Sequence, residues 1–124
     1  LVVSHTGKDG LNKVVIHKDA DISAKYCAFN TADRQGLMYF RAFCEILAEK
    51  YCPNSLVDAF VLGNAVSDSS SNYNMGKKTL DVFTAEYAAA LRTLYNTVTS
   101  YSSSAKVYVK QSPLPTLSFV LLHS

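Results

Sequence analysis

The sequence has no tryptophan, few glycines or prolines, and no long apolar run. Its longest apolar stretch, at residues 117–122, is far shorter than the roughly 18 residues that a membrane-spanning helix needs, which excludes a membrane span. Lysine and arginine are scattered and the net charge is only +2, so no basic patch predicts a nucleic-acid or anionic-membrane partner.

What remains is the composition of a globular domain. Apolar residues make up 48% and charged residues 18% of the 124 residues, which argues against disorder. That length predicts a single domain over residues 1–124. Because the chain opens on Leu1 without an initiator methionine, we expect it to be a piece of a larger protein.

The three cysteines, Cys27, Cys44 and Cys52, are an odd number and lack the paired spacing of a zinc site. We therefore predict no metal and no cofactor. Cys44 lies on the apolar face of a predicted helix and is expected to be a buried thiol. A disulfide between Cys27 and Cys52 is the alternative for the other two.

The first half of the chain predicts one strand and one helix. Residues 13–17 are a β-branched run typical of a strand. Apolar residues then recur every three or four positions, which predicts an amphipathic helix over residues 31–51. Asn30 or Thr31 is the expected N-cap, and Pro53 ends the helix.

The second half repeats this pattern. Residues 57–62 are nearly all apolar, which is typical of a strand covered on both faces. A polar loop over residues 64–78 leads into a helix predicted at 79–101, with Thr79 as its N-cap. Residues 105–110 are predicted to form the third strand.

The order strand, helix, strand, helix, strand predicts an α/β fold with a parallel sheet and both helices on one side. The interpretation that we favour is an arc of a (β/α)8 TIM-type barrel, because three strands cannot close an eight-stranded one. Such an arc would leave sheet edges and an inner face open. We expect Phe60, Leu62, Val107 and Val109 to face that surface in part. Residues 117–122 would then fold back as an additional edge strand, or the chain would self-associate.

Sites in parallel α/β sheets form at the carboxyl ends of the strands. Three polar clusters are predicted there, and the first two are rich in groups that hydrogen-bond sugar hydroxyls. The clusters are His17, Asp19 and Asp21; Asn64, Asp68, Asn72, Tyr73 and Asn74; and Gln111 and Ser112.

Several segments in this order resemble a bacterial family of unassigned function whose members look like clan-A glycoside hydrolases. The resemblance covers about residues 14–109 and fades over 111–124. The segments are Ile16-His17-Lys18-Asp19-Ala20, Ala28-Phe29-Asn30-Thr31, Leu62-Gly63-Asn64-Ala65-Val66, Tyr73-Asn74-Met75-Gly76 and Glu86-Tyr87-Ala88-x-Ala90-Leu91-Arg92-x-x-Tyr95-Asn96.

The resemblance implies a carbohydrate-active protein, secreted or on the cell surface, whose intact relatives hydrolyse O-glycosidic bonds. It places the acid/base carboxylate directly after Asn64, where this chain has Ala65, and Lys18 replaces an expected proline. The second carboxylate would lie on a seventh strand, beyond residue 124. Retaining glycosidases need both carboxyl groups, so we predict an inactive chain without a catalytic residue.

The resemblance also implies that His17, Asn64, Tyr73 and Asn74 bind the sugar. Each has a structural alternative: His17 as an ordinary histidine at a strand end, Asn64 as a turn residue, and Tyr73 and Asn74 as loop packing. The competing hypothesis for function is a small non-enzymatic α/β module that binds a partner or self-associates.

Overall fold

A computed structural model describes residues 1–8, 12–111 and 119–121. The strands are β1 (Val2–Val3), β2 (Ala59–Leu62), β3 (Lys106–Lys110) and β4 (Phe119–Leu121). The helices are α1 (Asn12–Val15), α2 (Arg34–Tyr51), α3 (Ser69–Asn72) and α4 (Leu80–Tyr101), with 3₁₀ turns at Pro53–Ser55 and Val66–Asp68.

The two long helices lie where the apolar periodicity predicted them. The Thr79 hydroxyl caps α4 by accepting a hydrogen bond from the Val82 N–H at 3.3 Å, as expected. The prediction of Asn30 or Thr31 as the N-cap of α2 was wrong, because Asp33 is the N-cap and its carboxylate accepts from the Gly36 N–H at 2.8 Å. Asn30 instead supports this cap by donating from Nδ2 to Asp33 at 3.0 Å.

The sheet has the strand order β1-β2-β3-β4. β1 pairs with β2 and β2 with β3 in parallel, which confirms the predicted parallel pairing of the second and third strands. β4 runs antiparallel to β3, with Val109 opposite Val120. The fold-back of the C-terminal segment onto a sheet edge is thus confirmed for Phe119–Leu121, the described part of that segment.

The first strand was assigned to the wrong residues. Part of the predicted strand at 13–17 lies in α1, and Ile16 forms only an isolated antiparallel bridge to Phe29. β1 is the earlier pair Val2–Val3, since the Val61 N–H donates to Leu1 and the Gly63 N–H donates to Val3. Both Val2–Val3 and residues 13–17 are β-branched, so either could be the strand beside β2. Intrinsic β propensity alone does not show which of them pairs with β2.

One face of the sheet packs against α2 and α4. Phe60, Leu62 and Val107 are fully buried there, in one core cluster with Phe40 and Leu94 of the helices. Val109 also packs against this core. The expectation that Phe60, Leu62, Val107 and Val109 face the open surface was therefore wrong, because the side chains of each strand alternate between the two faces and these four lie on the helix-covered face.

Among the described residues, no helix covers the opposite face of the sheet, which is called the open face here, and Val2, Val61 and Tyr108 share a row on it. Val2 is 52% exposed and Val61 is half-buried. The prediction that residues 57–62 are covered on both faces does not hold for the described part of the chain, in which helices cover one face of β2 and the residues of its other face are half-buried.

All three cysteines are free and buried, so the alternative of a Cys27–Cys52 disulfide is not found. Burial raises the pKa of Cys44 to about 12, which keeps this thiol protonated. Cys44 is fully buried on the inner face of α2, as the apolar stripe predicted. These thiols act as small apolar groups of the core.

Candidate functional site

Two connections meet at the carboxyl-terminal end of the parallel strands: residues 16–31 before α2 and residues 63–79 before α4. Asn74 joins them. Its Oδ1 accepts from the Asp21 N–H at 2.8 Å and the Gly76 N–H at 3.0 Å, and its Nδ2 donates to the Ser70 carbonyl at 2.9 Å. Because both ends of its amide are engaged, Asn74 positions the two connections.

Gly76 lets the connections approach each other. Its φ is +81°, and a Cβ built there would lie 2.4 Å from the Asp19 carbonyl oxygen. A side chain at this position would therefore be strained and would also collide with backbone. Next to this contact, the Lys78 ammonium donates to the Asp19 carboxylate at 2.7 Å.

The Asp19–Lys78 ion pair predicts a pH-dependent stability difference. The hydrogen bond from Lys78 lowers the pKa of Asp19 below its usual 3.8. A depressed folded-state pKa adds stability above pH 3.8, and this contribution is lost as the pH falls through the folded-state value. We expect Lys78→Ala to melt at a slightly lower temperature than the wild type near neutral pH, and at the same temperature once Asp19 is protonated.

Thermal unfolding from neutral to acidic pH checks this expectation. Lys77→Ala is the matched control, because Lys77 makes no ion pair among the described residues. A difference between Lys78→Ala and the wild type that persists in strong acid would mean that Lys78 stabilises the fold by packing and not through Asp19.

A pocket of about 370 Å³, called the rim pocket here, opens between the two connections. Its chemistry combines a carboxylate, an amine, hydroxyls and an aromatic ring. The lining side chains include those of Asp21, Ser69, Ser70, Asn74, Lys77 and Phe83.

The rim pocket has both acceptor and donor groups available. Hydrogen bonds from the Ser23 hydroxyl and N–H lower the pKa of Asp21, so its carboxylate remains ionised and accepts only. Within the described part of the chain, the Lys77 ammonium and the Ser69 hydroxyl make no hydrogen bond and can donate to a ligand. Phe83 is half-buried and adds an apolar surface.

Buried aromatic rings hold Phe83 in place. It stacks on Tyr87 with ring centroids 6.1 Å apart and an interplanar angle of 5°, and it meets Tyr73 edge-on at 6.2 Å. The Tyr87 hydroxyl donates to the Leu62 carbonyl at 2.6 Å, at the end of β2. Burial raises the pKa of both Tyr73 and Tyr87, so both remain neutral. Tyr73 is 2% exposed and supports the pocket from beneath.

His17 is also buried, with 2% of its surface exposed, and both of its ring nitrogens form hydrogen bonds. Its Nδ1 accepts from the Asp19 N–H at 3.1 Å, which leaves the ring proton on Nε2 for the Glu86 carboxylate at 2.8 Å. Glu86 belongs to α4, and its backbone carbonyl accepts from the Thr31 hydroxyl at 3.1 Å. His17 and Glu86 thus tie residues 16–31 to the helix that carries Phe83.

Asn64 follows β2 at the carboxyl-terminal edge of the sheet and does not line the rim pocket. Its buried Oδ1 has no hydrogen-bond partner within the described ranges, and neither has the buried hydroxyl of Ser4, which follows the neighbouring β1. Buried polar atoms usually have partners, so a pair of unpaired ones on adjacent strand ends is a distinctive feature of this edge.

Ala65, where the resemblance places an acid, is 1% exposed and lies in the left-handed region, with φ 54° and ψ 57°. Its carbonyl accepts from the Asp68 N–H at 2.9 Å. The Gln111 carbonyl accepts from the Ser67 N–H at 3.2 Å and from the Ser67 hydroxyl, so the third cluster also contacts the connection before α4. Ser112 lies outside the described residues.

Several residues at this end of the sheet were not predicted as site residues, among them Ser4, Phe83 and Glu86. Ser4 follows Val2–Val3, a β-branched pair that could have been read as a short strand. Phe83 lies within the helix predicted at 79–101 and was not among the predicted binding residues. Glu86 begins one of the segments that carry the family resemblance, but nothing near it in the sequence identifies its partner His17, which is 69 residues away in the chain.

Among the described residues, no cluster of three or more His, Cys, Asp or Glu side chains could hold a metal ion. The same part of the chain contains no helix with the length and apolar character needed to span a membrane.

The model of DUF5722, a family of unknown function, matches residues 2–111. Since this match covers most of the 124 residues, the chain belongs to that family. No curated protein and no solved structure matches the chain. The family segment includes β1, β2 and β3, and therefore both connections that form the rim pocket.

Proposed function

We propose that this member of the family is an arc of a (β/α)8 barrel that binds carbohydrate in the rim pocket and does not hydrolyse it. The observation that carries the proposal is the rim pocket itself. Two successive connections form it at the carboxyl-terminal end of parallel strands, which is where barrel proteins place their sites.

The strand order supports the barrel arc. β1, β2 and β3 are neighbours in the order in which they occur in the chain, and the helices α2 and α4 pack on the same face. A singly wound barrel has this progression, with helices outside and a row of side chains directed inward. On this proposal the face with Val2, Val61 and Tyr108 corresponds to the barrel interior.

The lining of the rim pocket supports a sugar as the ligand. A sugar ring presents an apolar C–H face and hydroxyls that both donate and accept hydrogen bonds. The Phe83 ring can pack against the C–H face of the sugar. The Asp21 carboxylate can accept hydrogen bonds from the sugar hydroxyls, and the Lys77 ammonium can donate to them. His17, Tyr73 and Asn74 act on this proposal as positioning residues beneath and beside the pocket.

The methyl group of Ala65 supports binding without turnover. General acid catalysis contributes about 10²–10⁴-fold to a rate, and alanine cannot transfer a proton. We therefore expect no hydrolysis of aryl glycosides by the purified chain. Ala65→Glu should not restore activity, since retaining hydrolysis also requires a second carboxyl group about 5–5.5 Å from the first.

Binding is tested with a glycan array, followed by calorimetry with the strongest ligand. We expect Phe83→Ala to weaken that ligand about tenfold, because the variant removes the aromatic surface of the pocket. Lys77→Ala, an exposed change with little risk to folding, should also weaken it. Val82→Ala is the matched control, since Val82 is 43% exposed on the same helix but does not line the pocket.

Two results would contradict carbohydrate binding in the rim pocket. One is an array without any bound glycan, and the other is binding that neither Phe83→Ala nor Lys77→Ala affects. Hydrolysis of an aryl glycoside by the wild type, lost on substitution of Asn64, would show that the chain has a catalytic site that we have not identified.

A further inference from the structure

A second polar groove, of about 430 Å³, lies between the outer surfaces of α2 and α4, away from the rim pocket. It is called the interhelix groove here. Leu37, Arg41 and Glu45 line it along α2, at successive turns of the helix. Along α4 it is lined by Ala89, Arg92, Thr93, Asn96, Thr97 and Ser100.

The two arginines of the interhelix groove are exposed, and neither has an acidic partner in the part of the chain that the structure describes. The ion pairs among the described residues are His17–Glu86 and Lys78–Asp19, and neither involves Arg41 or Arg92. Glu45 follows Arg41 by four positions but forms no ion pair with it, in keeping with the less favourable arginine-before-glutamate order. Two guanidinium groups on one groove offer several N–H donors for a single anion.

The groove is polarised along its length. Both helices connect parallel strands, so they run in the same direction, and on each the arginine precedes the acceptor groups. The Thr97 hydroxyl donates to the Thr93 carbonyl at 2.7 Å, and the Ser100 hydroxyl donates to the Thr97 carbonyl at 2.6 Å. These hydroxyls, like the Glu45 carboxylate, are left with lone pairs that accept.

We propose that the interhelix groove binds a phosphorylated polyol, with its phosphate at Arg41 and Arg92 and its hydroxyls donating toward Glu45, Thr97 and Ser100. A phosphate has more acceptor sites than one guanidinium can fill, which suits two arginines from different helices. Hydroxyls on the same ligand can donate to the lone pairs at the other end of the groove. The volume is that of a small-molecule site.

Calorimetric titration of the whole chain with inorganic phosphate, glycerol phosphate and glycerol tests this proposal. We expect glycerol phosphate to bind more tightly than phosphate, and glycerol not to bind up to about 10 mM. The double variant Arg41→Gln, Arg92→Gln should weaken glycerol phosphate at least about tenfold, because hydrogen bonds to charged groups are lost. Arg34→Gln, an exposed arginine of α2 outside the groove, is the matched control.

The variant Glu45→Gln tests the acceptor end of the groove separately from the arginine end. It should reduce the preference for glycerol phosphate over phosphate without weakening phosphate itself, because it changes only the acceptor end. Thermal unfolding without ligand should show the double variant folded and no less stable than the wild type, since the arginines make no ion pair with any described residue. Absence of phosphate binding, or binding that the double variant retains, would overturn the proposal. An unchanged preference in Glu45→Gln would overturn the role of the hydroxyls.

Discussion

Phe60→Ala should destabilise the protein by about 3–5 kcal/mol, the usual cost of removing a fully buried aromatic side chain. Phe60 has no exposed surface and lies in the core cluster between β2 and the two long helices. A cavity at this position cannot be filled by water at low cost, because the surrounding side chains are apolar. Domains of this size typically have a free energy of unfolding of about 5–15 kcal/mol, so a urea titration of this variant should show that a large part of it is lost.

Val61→Ala is the matched control for Phe60→Ala. Val61 is the next residue of the same strand, but it faces the open side of the sheet and is only half-buried. Its truncation should cost less than about 1.5 kcal/mol. Equal losses in the two variants would show that both faces of β2 are covered, and would contradict the open face on which the barrel-arc proposal depends.

Gly36→Ala should destabilise the protein by about 1–3 kcal/mol, although alanine is normally favoured over glycine in a helix by about 1 kcal/mol. A Cβ on Gly36 would lie 2.4 Å from Asn30 Nδ2 and 2.5 Å from the Asn30 carbonyl oxygen. Asn30 cannot easily move, because its Nδ2 donates to Asp33 and its backbone N–H donates to the Val15 carbonyl.

Chemical denaturation of Gly36→Ala beside Gln35→Ala measures this effect. Gln35 is the neighbouring residue of α2 and is exposed, so its replacement should change stability little. Stabilisation by Gly36→Ala would mean that the segment before α2 does not pack on the helix as described. It would also weaken the case for His17 as a positioning residue, since His17 belongs to the same connection.

The helices were predictable because the information lies within each segment. The apolar stripes of α2 and α4 repeat over five and six turns, and Thr79 and Pro53 mark a start and an end locally. β2 and β3 were also found, within two residues of their observed bounds. Each is a short apolar or branched segment between a helix and a polar stretch.

The first strand could not be placed in this way because its identity depends on pairing across the chain. Val2–Val3 contributes only two residues to the sheet, yet its partner β2 begins more than fifty positions later. The β-branched run at 13–17 has the stronger local signal, but its backbone bonds to residues 28–30 instead. The face that Phe60 occupies was missed for a similar reason, since an all-apolar strand shows no alternation.

For the candidate site, the sequence predicted which connections lie close together, but not which of their side chains line the rim pocket. The connections after the first two strands do meet, as the rule for parallel sheets requires. Whether a polar residue faces outward or inward depended on tertiary packing. His17 and Tyr73 are buried supports, whereas Ser69, Lys77 and Phe83 line the pocket, and none of these three was predicted to bind a ligand.

The most direct measurement of the central claim, carbohydrate binding in the rim pocket, is NMR mapping of the wild-type chain with the strongest glycan from the array. Our account predicts that the largest amide shift changes fall on Asp21 and on the rim-pocket residues between 69 and 77, and that Phe83→Ala requires about tenfold more glycan for the same changes. Shift changes confined to the open face of the sheet, at Val61 and Tyr108, or to the interhelix groove would contradict it.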